Sequence, residues 1–315
     1  MTAAADLLPV LTARPYRYPA DFHAVRDLLV ETFPITGLGF NWEIRRWDGS
    51  HFHDADPVSN AAWRSQIQVW ETAEGRIVGA VHTEGAAGYA HLQIHPDYRP
   101  ELETAMIAWA EAELAATGAD GTRQLTFFVQ DYDAPRQRLL RECGYVQQEA
   151  GGVFRRIYLG ERPLSAPTLA EGYVLRTVGA DDPADGERMA ALLNAAFNRD
   201  FHRGADFLSF ARNAPCFRRD LHLVAQAPDG AFAAHVGATY DEANRRGLFE
   251  PVCTHPAHRR KGLAQALMFE GLRRLKALGA VQVTVETGDA PAANALYESI
   301  GFTEAYSGHY WRRKL

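Results

Sequence analysis

The chain has 315 residues, 47% of them hydrophobic and 23% charged, and a formal net charge of −6. This is ordinary globular composition, with length enough for about two domains of common size. The acidic balance argues against a nucleic-acid partner, and no apolar run is long enough to span a bilayer. Cys143, Cys216 and Cys253 show no Cys-x-x-Cys spacing, which suggests reduced thiols in a cytoplasmic protein and no cysteine zinc site. The opening "MTAAADLLPVLTARPYRYP" lacks a basic segment followed by a long apolar core and reads as a non-secretory extension.

In chain order, the first half predicts a strand at 15–19, a helix at 21–33, and two strands in "IQVWETAEGRIVGAVH" turning at Glu74-Gly75, a hairpin signal. A strand ending at His95-Pro96, a helix in "PELETAMIAWAEAELAATG", the strand "RQLTFFVQ", a helix ending in Cys143-Gly144-Tyr145 and the strand "VFRRIYL" follow. The segment "LGERPLSAPTLAEGY", 159–173, has no apolar periodicity and reads as a linker. The second half then repeats the order. It has a strand at 172–178, a helix at 184–197, a hairpin at Asp229-Gly230, a strand ending at His255-Pro256 and a helix in "KGLAQALMFEGLRRLKALG". The strand "VQVTVET", a helix ending in Ile300-Gly301-Phe302 and the strand "SGHYWRRK" complete it. In the long helix Ala264, Leu267, Met268, Gly271, Leu275 and Leu278 recur at helical spacing, and Gly279 suits a C-terminal cap.

The chain is therefore an internal repeat of about 150 residues, the size of a duplicated domain. Each copy is a mixed α/β unit: antiparallel hairpins first, then a strand–helix–strand crossover. The expected division is 1–160, a linker at 161–171, and 172–315.

Arg259-Arg260-Lys261-Gly262-Leu263-Ala264 stands between a strand and a helix. The first turn of a helix has unpartnered amides and a partial positive charge, a ready site for phosphate oxygens. Gly262 lets the backbone approach a ligand, Ala264 keeps the wall small, and the three cations add charge. About thirty residues on stands "APAANALYESIGF", Ala290 to Phe302. Arg-x-x-Gly-x-Ala after a strand and His-Pro, followed by Asn-x-Leu-Tyr-x-x-x-Gly-Phe, resembles the GNAT superfamily of acyl-CoA-dependent N-acyltransferases. The resemblance covers essentially all of 172–315 in element order.

The resemblance implies that the pyrophosphate of an acyl-CoA lies on the backbone of Arg260 to Ala264, with Arg259 beside it. It implies that the pantetheine runs along Val252, Cys253 and Thr254, with Asn294 near the same arm, and that Tyr297 is the general acid. The family often has an asparagine seven residues before that tyrosine; Ala290 stands there, and Asn294 is the substitute candidate. Amide formation from a thioester also needs a group to take the amine proton. Glu250 is the candidate base, placed by strand alternation on one face with Val252 and Thr254; Glu286 and His309 are lesser candidates. Pro251 cannot donate to a sheet ladder, which fits a strand splayed or bulged from its neighbour. Cys253 reads as a small buried thiol rather than an acyl-enzyme nucleophile.

Aligning His95-Pro96 with His255-Pro256 places Pro100 at Arg260, Glu101 at Lys261, Leu102 at Gly262, Glu103 at Leu263, Ala90 at Glu250 and Leu140 at Tyr297. The first copy is expected to keep the fold without a cofactor site. His51, His53, Asp54 and Asp56, in "WDGSHFHDADP", read as a polar loop rather than a metal cluster, and no metal is expected. Residues 197–220 read as a loop in which Asp200, His202, Asp206 and Arg212 are candidates to read an acceptor.

These readings converge on an N-acetyltransferase that moves an acetyl group from acetyl-CoA directly to an amine, the acceptor being a small molecule. The alternatives are a non-catalytic acyl-CoA-binding or regulatory module, and a nucleotide-binding protein whose glycine turn lacks the full P-loop spacing.

Overall fold

The computed structural model describes residues 10–85, 87–288 and 290–315; the amino-terminal extension falls mostly on 1–9, outside the described residues. The first half runs β1 (Thr12–Pro15), α1 (Ala20–Thr32), α2 (Ile44–Phe52), α3 (Pro57–Arg64), β2 (Gln68–Glu71), β3 (Ile77–His82), β4 (Tyr89–Ile94), α4 (Arg99–Glu113), β5 (Ala116–Thr117), β6 (Arg123–Gln130), α5 (Ala134–Glu142) and β7 (Val146–Tyr158). The second runs β8 (Val174–Thr177), α6 (Pro183–Phe197), α7 (Gly204–Asn213), β9 (His222–Gln226), β10 (Phe232–Asp241), β11 (Arg246–Thr254), α8 (Leu263–Ala277), β12 (Gln282–Thr287), α9 (Pro291–Ile300) and β13 (Glu304–Lys314).

The hairpin turns fall where expected. Gly75 and Gly230 adopt φ of 81° and 88°, a left-handed backbone that a Cβ disfavours. Three expectations are corrected. The first strand is Thr12–Pro15 rather than 15–19, the segment 47–57 carries α2 and the start of α3 instead of a loop, and α7 occupies much of 197–220.

The repeat extends into side-chain detail. In the first copy Arg14 pairs with Asp21 and the amide of Arg17 donates to the same carboxylate at 2.7 Å. In the second Arg176 pairs with Asp185 and the amide of Gly179 donates to it at 2.8 Å. The shared His-Pro phrase also does one job twice. Nδ1 of His95 accepts from the amide of Asp97, and Nδ1 of His255 from that of Ala257, each opening a 3-10 turn ahead of the long helix.

The fold has two compact units, and they depart from the linear order. The first comprises residues up to Trp42, Ala61–Glu149 and His309–Leu315; the second comprises Glu43–Asn60 and Ala150–Gly308. In the first, β1, β2, β3 and β4 pair antiparallel in sequence and β4 pairs parallel with β6. Its core gathers Leu102, Met106, Leu125, Leu140 and, from the chain's last residues, Trp311, which is 1% exposed. In the second, the order is β7-β12-β11-β10-β9-β8, with β11 and β12 parallel and the other pairs antiparallel. Leu223, Val236, Phe249, Leu267, Met268, Leu272 and Val285 build its core between the sheet and α8. Leu164 and Leu169, from the expected linker, pack on that core. The copies have thus exchanged closing strands: Val153–Tyr158 of β7 lie antiparallel to β12, and the end of β13 belongs to the first unit.

Candidate active site

Two parallel strands of the second unit part company at one point. β11 and β12 pair only from Arg246–Phe249 against Gln282–Val285, so among the described residues Glu250–Thr254 have no ladder partner on that side. On the other side the register against β10 slips between Val236 and Ala238, so two residues, Glu250 and Pro251, face Gly237 alone. Only glycine fits there: a Cβ on Gly237 would lie 2.7 Å from the carbonyl oxygen of Glu250 and 3.2 Å from Cδ of Pro251. Pro251 lacks an N–H and so gives up no bond. The result is a slot bordered by Glu250–Thr254 and the end of β12.

The bulge also corrects the expected side of Glu250. Phe249 sits opposite Ala238 and Val252 opposite Val236, so both face α8 although three positions apart. Glu250 is therefore out of phase with Val252 and Thr254; it shares the other face with Cys253, His235 and Thr239.

At the head of α8 the backbone turns left-handed at Arg260, φ 61°, and again at Gly262, φ 70°. The non-glycine case costs roughly 1–3 kcal/mol, an expense usually met at functional turns. The helix starts at Leu263, two residues later than the sequence suggests, and its first bond runs from the amide of Ala266 to the carbonyl of Gly262 at 3.0 Å. Among the described residues the amides of Arg260 to Gln265 have no acceptor, which makes the turn a concave nest for an anion. A Cβ on Gly262 would meet no protein atom within 4 Å, so the glycine answers to its φ of 70° rather than to packing, and the space beside it stays open to a ligand. Leu263 is buried in the core and offers its amide; Ala264 is half-buried.

The three cations differ. Arg259 is drawn onto the carbonyls of Ala196 and Thr254. Lys261 donates to the hydroxyl of Tyr173 at 2.8 Å, and that hydroxyl also meets Nδ1 of His258 at 2.8 Å. The side chain of Arg260 makes no hydrogen bond or ion pair among the described residues. Tyr173 escaped the sequence reading because it lies 88 positions from Lys261.

Tyr297, on α9, is 4% exposed and packs edge-on against Phe302. Burial, and next the neighbouring Cys253, push its phenol up to about 12, and its hydroxyl has no protein partner among the described residues. Burial also pushes the Cys253 thiol up to about 12, which keeps it un-ionised. Asn294 is engaged by protein: its Oδ1 accepts from Nε of Arg155 at 2.8 Å, and its Nδ2 lies 3.3–3.4 Å from the carbonyls of Ala290 and Gly288. Glu286 pairs with Arg46 at 3.5 Å; His309 belongs to the first unit and pairs with Asp131 at 2.7 Å.

In the first unit the corresponding turn is built otherwise. α4 begins at Arg99 with no left-handed residue, and Leu102 is 2% exposed against β3. Glu103 is buried and bonded to Arg99 and Arg136, while Arg99 also pairs with Asp133 at 2.7 Å. Phe40 lies under both guanidinium groups.

The four polar residues of segment 47–57 go separate ways: His51 to the carbonyl of Trp47, His53 to Arg45, Asp54 to Arg203, and Asp56 to the amide of Val58. Of the acceptor candidates, Asp206 pairs with Arg203 and Arg212 with Asp181, His202 is tied to Asn194, and Asp200 is exposed.

A parted pair of parallel strands beside a helix-head nest fits the acyl-CoA-dependent transferase fold that the sequence resembles. Residues 187–302 match the profile described as Acetyltransferase (GNAT) family. A mycothiol acetyltransferase of Kineococcus radiotolerans is 28% identical over 228 residues, 70% of this chain and 71% of that protein. A GCN5-related N-acetyltransferase from Sphaerobacter thermophilus superposes with TM-score 0.60 at 18% identity, covering 98% of this chain and 97% of that one. A tandem GNAT protein from the clavulanic acid biosynthesis pathway gives 0.65 at 17%, covering 97% and 98%. The fold is that of two GNAT-like domains, and the match over 187–302 supports a GNAT-type acyl transfer from an acyl-CoA to an amine. No described helix is long and apolar enough to cross a membrane.

Proposed function

We propose that the protein is an N-acetyltransferase that moves an acetyl group from acetyl-CoA directly to the amine of a small-molecule acceptor, with the copy at 172–315 active. In this reading 1–160 is the degenerate copy and 161–171 the linker. The observation that carries it is an open nest at Arg260–Ala264 together with a slot at Glu250–Thr254 and, near Cys253 of that slot, a buried tyrosine hydroxyl without a protein partner among the described residues.

Acetyl-CoA supplies the activated acyl carbon. The amides of Arg260 to Ala264 hold the pyrophosphate, with the free guanidinium of Arg260 adding charge. Val252, Cys253 and Thr254 border the pantetheine; with Asn294 drawn onto Arg155, its contribution is to hold the slot's wall. Unpaired β11 amides offer the thioester oxygen its hydrogen bond. Glu250 takes the amine proton as nitrogen attacks the carbonyl carbon. The C–S bond then breaks, and Tyr297 gives its proton to the departing sulfur, yielding the amide and free CoA thiol. The un-ionised Cys253 favours direct transfer over an acyl-enzyme.

The mycothiol acetyltransferase likeness supports a small acceptor. In the first copy, the buried Glu103–Arg99–Asp133 network at the head of α4 supports a structural role without coenzyme. The test is an amine screen with acetyl-CoA, reading released thiol. At least one small amine is expected to release thiol in proportion to its own acetylation. Thiol release that no amine accelerates would overturn the reading.

A further inference from the structure

Segment Glu43–Asn60 belongs to the second unit and carries a buried arginine, Arg45, three residues before the buried carboxylate of Asp48. Arg45 on α2 is 5% exposed. Its Nη2 meets Nε2 of His53 at 2.8 Å and its guanidinium lies 4.3 Å from the centre of the Phe210 ring. Its Nε has no partner, and among the described residues no carboxylate forms an ion pair with it. Nearby Arg246, by contrast, pairs with both Glu43 and Asp241. Burying a charge with no carboxylate in direct contact and a donor left unbonded is costly, and a desolvated cation–π contact returns only ~2 kcal/mol.

Arg45 acts on two more orphans. His222 of β9 and His235 of β10 are each 1% exposed, stack at 5.5 Å, and leave all four ring nitrogens without a hydrogen bond. Burial first, and Arg45 among the neighbouring charges, hold both neutral, His235 at about 3. A histidine that titrates so low is a poor base at neutral pH, so these rings are binding groups, each with one N–H to donate. They stand at the reacting centre: His235 pairs in register with Cys253, and Cε1 of His222 lies 3.2 Å from where a Cβ on Gly237 would point, at the Glu250–Pro251 bulge. A buried guanidinium with an unbonded Nε, flanked by unpartnered imidazole nitrogens on the face of Glu250, offers an anion a set of donors.

We propose that Arg45, with His222 and His235, receives a carboxylate of the acceptor, so that the acceptor is a small amine bearing a carboxylate near its amino group. The proposal rests on the acyltransferase reading of the same site. The rings are covered by protein, with Phe207, Phe210 and Phe217 against His222, so entry requires neighbouring side chains to give way.

The test is thermal unfolding of the full chain with a panel of amino acids, each matched to its carboxamide, for wild type and Arg45→Met. An acid is expected to raise the midpoint where its amide does not, reflecting about a hundredfold tighter binding, and Arg45→Met is expected to abolish that difference. The variant's own midpoint is expected to be unchanged or higher, because no direct ion pair is lost and a buried donor without a partner is removed. No acid outperforming its amide, a preference surviving in Arg45→Met, or a variant destabilised by several degrees would each overturn the proposal. Acetyl-CoA is expected to raise the midpoint of both proteins; failure of that arm alone would count against the coenzyme reading and leave the anion site standing.

Discussion

The guanidinium of Arg155 donates to Oδ1 of Asn294 over 2.8 Å, although 139 positions separate them. Arg155 also reaches Glu298 at 2.6 Å and the carbonyl of Phe302 at 3.2 Å, so a residue of the first copy's closing strand brackets the helix that carries Tyr297. A chain trimmed to 161–315 lacks this arginine, the β7 partner of β12, and the core residues Ile157 and Leu159. It is expected to show no cooperative unfolding transition by circular dichroism. In the full chain, Arg155→Ala strands polar partners around a buried site and is expected to cost about 2–4 kcal/mol in denaturant unfolding.

Tyr297→Phe removes one hydroxyl and keeps the packing. It is expected to lower kcat by roughly 10²–10⁴ while the Kd for acetyl-CoA stays within about threefold. The acid must be protonated to work, and its folded value of about 12 means that it is protonated throughout the ordinary range. The wild-type rate is therefore expected to rise with pH as amine and base lose protons, with no falling limb from this phenol below about pH 11.

Asp185 is held at about 2: burial raises it, but hydrogen bonds from Arg176 and the amide of Gly179 outweigh burial. A carboxylate lowered from 3.8 contributes stability that is present above about pH 4 and lost as pH falls through about 2. Asp185→Asn is expected to cost about 2 kcal/mol at pH 7, with the difference from wild type closing near pH 2 in denaturant unfolding at a series of pH values.

The sequence made the duplication legible because strand alternation, hairpin glycines and the two His-Pro phrases are local signals. The helix-head nest was legible for the same reason, since Gly262 and the basic turn sit together. Three features were not. The Glu250–Pro251 bulge inverts the phase of β11, and alternation counted along the strand cannot register an extra residue. The exchange of β7 and the end of β13 depends on which copy each strand joins, and identical patterns in both copies leave that open. Arg45, His222 and His235 come together because α2 packs with the second unit, a tertiary choice that outweighs chain proximity.

Coenzyme titrated calorimetrically into wild type and Gly262→Val tests the central claim most directly. A Cβ there meets open space in the protein, so the fold should tolerate it apart from strain at φ 70°, roughly 1–3 kcal/mol, while the nest loses its close approach. The expected result is saturable one-site binding of CoA to wild type and at least about tenfold weaker binding to Gly262→Val, with the unfolding transition still cooperative. Equal affinity for the two proteins would contradict the account.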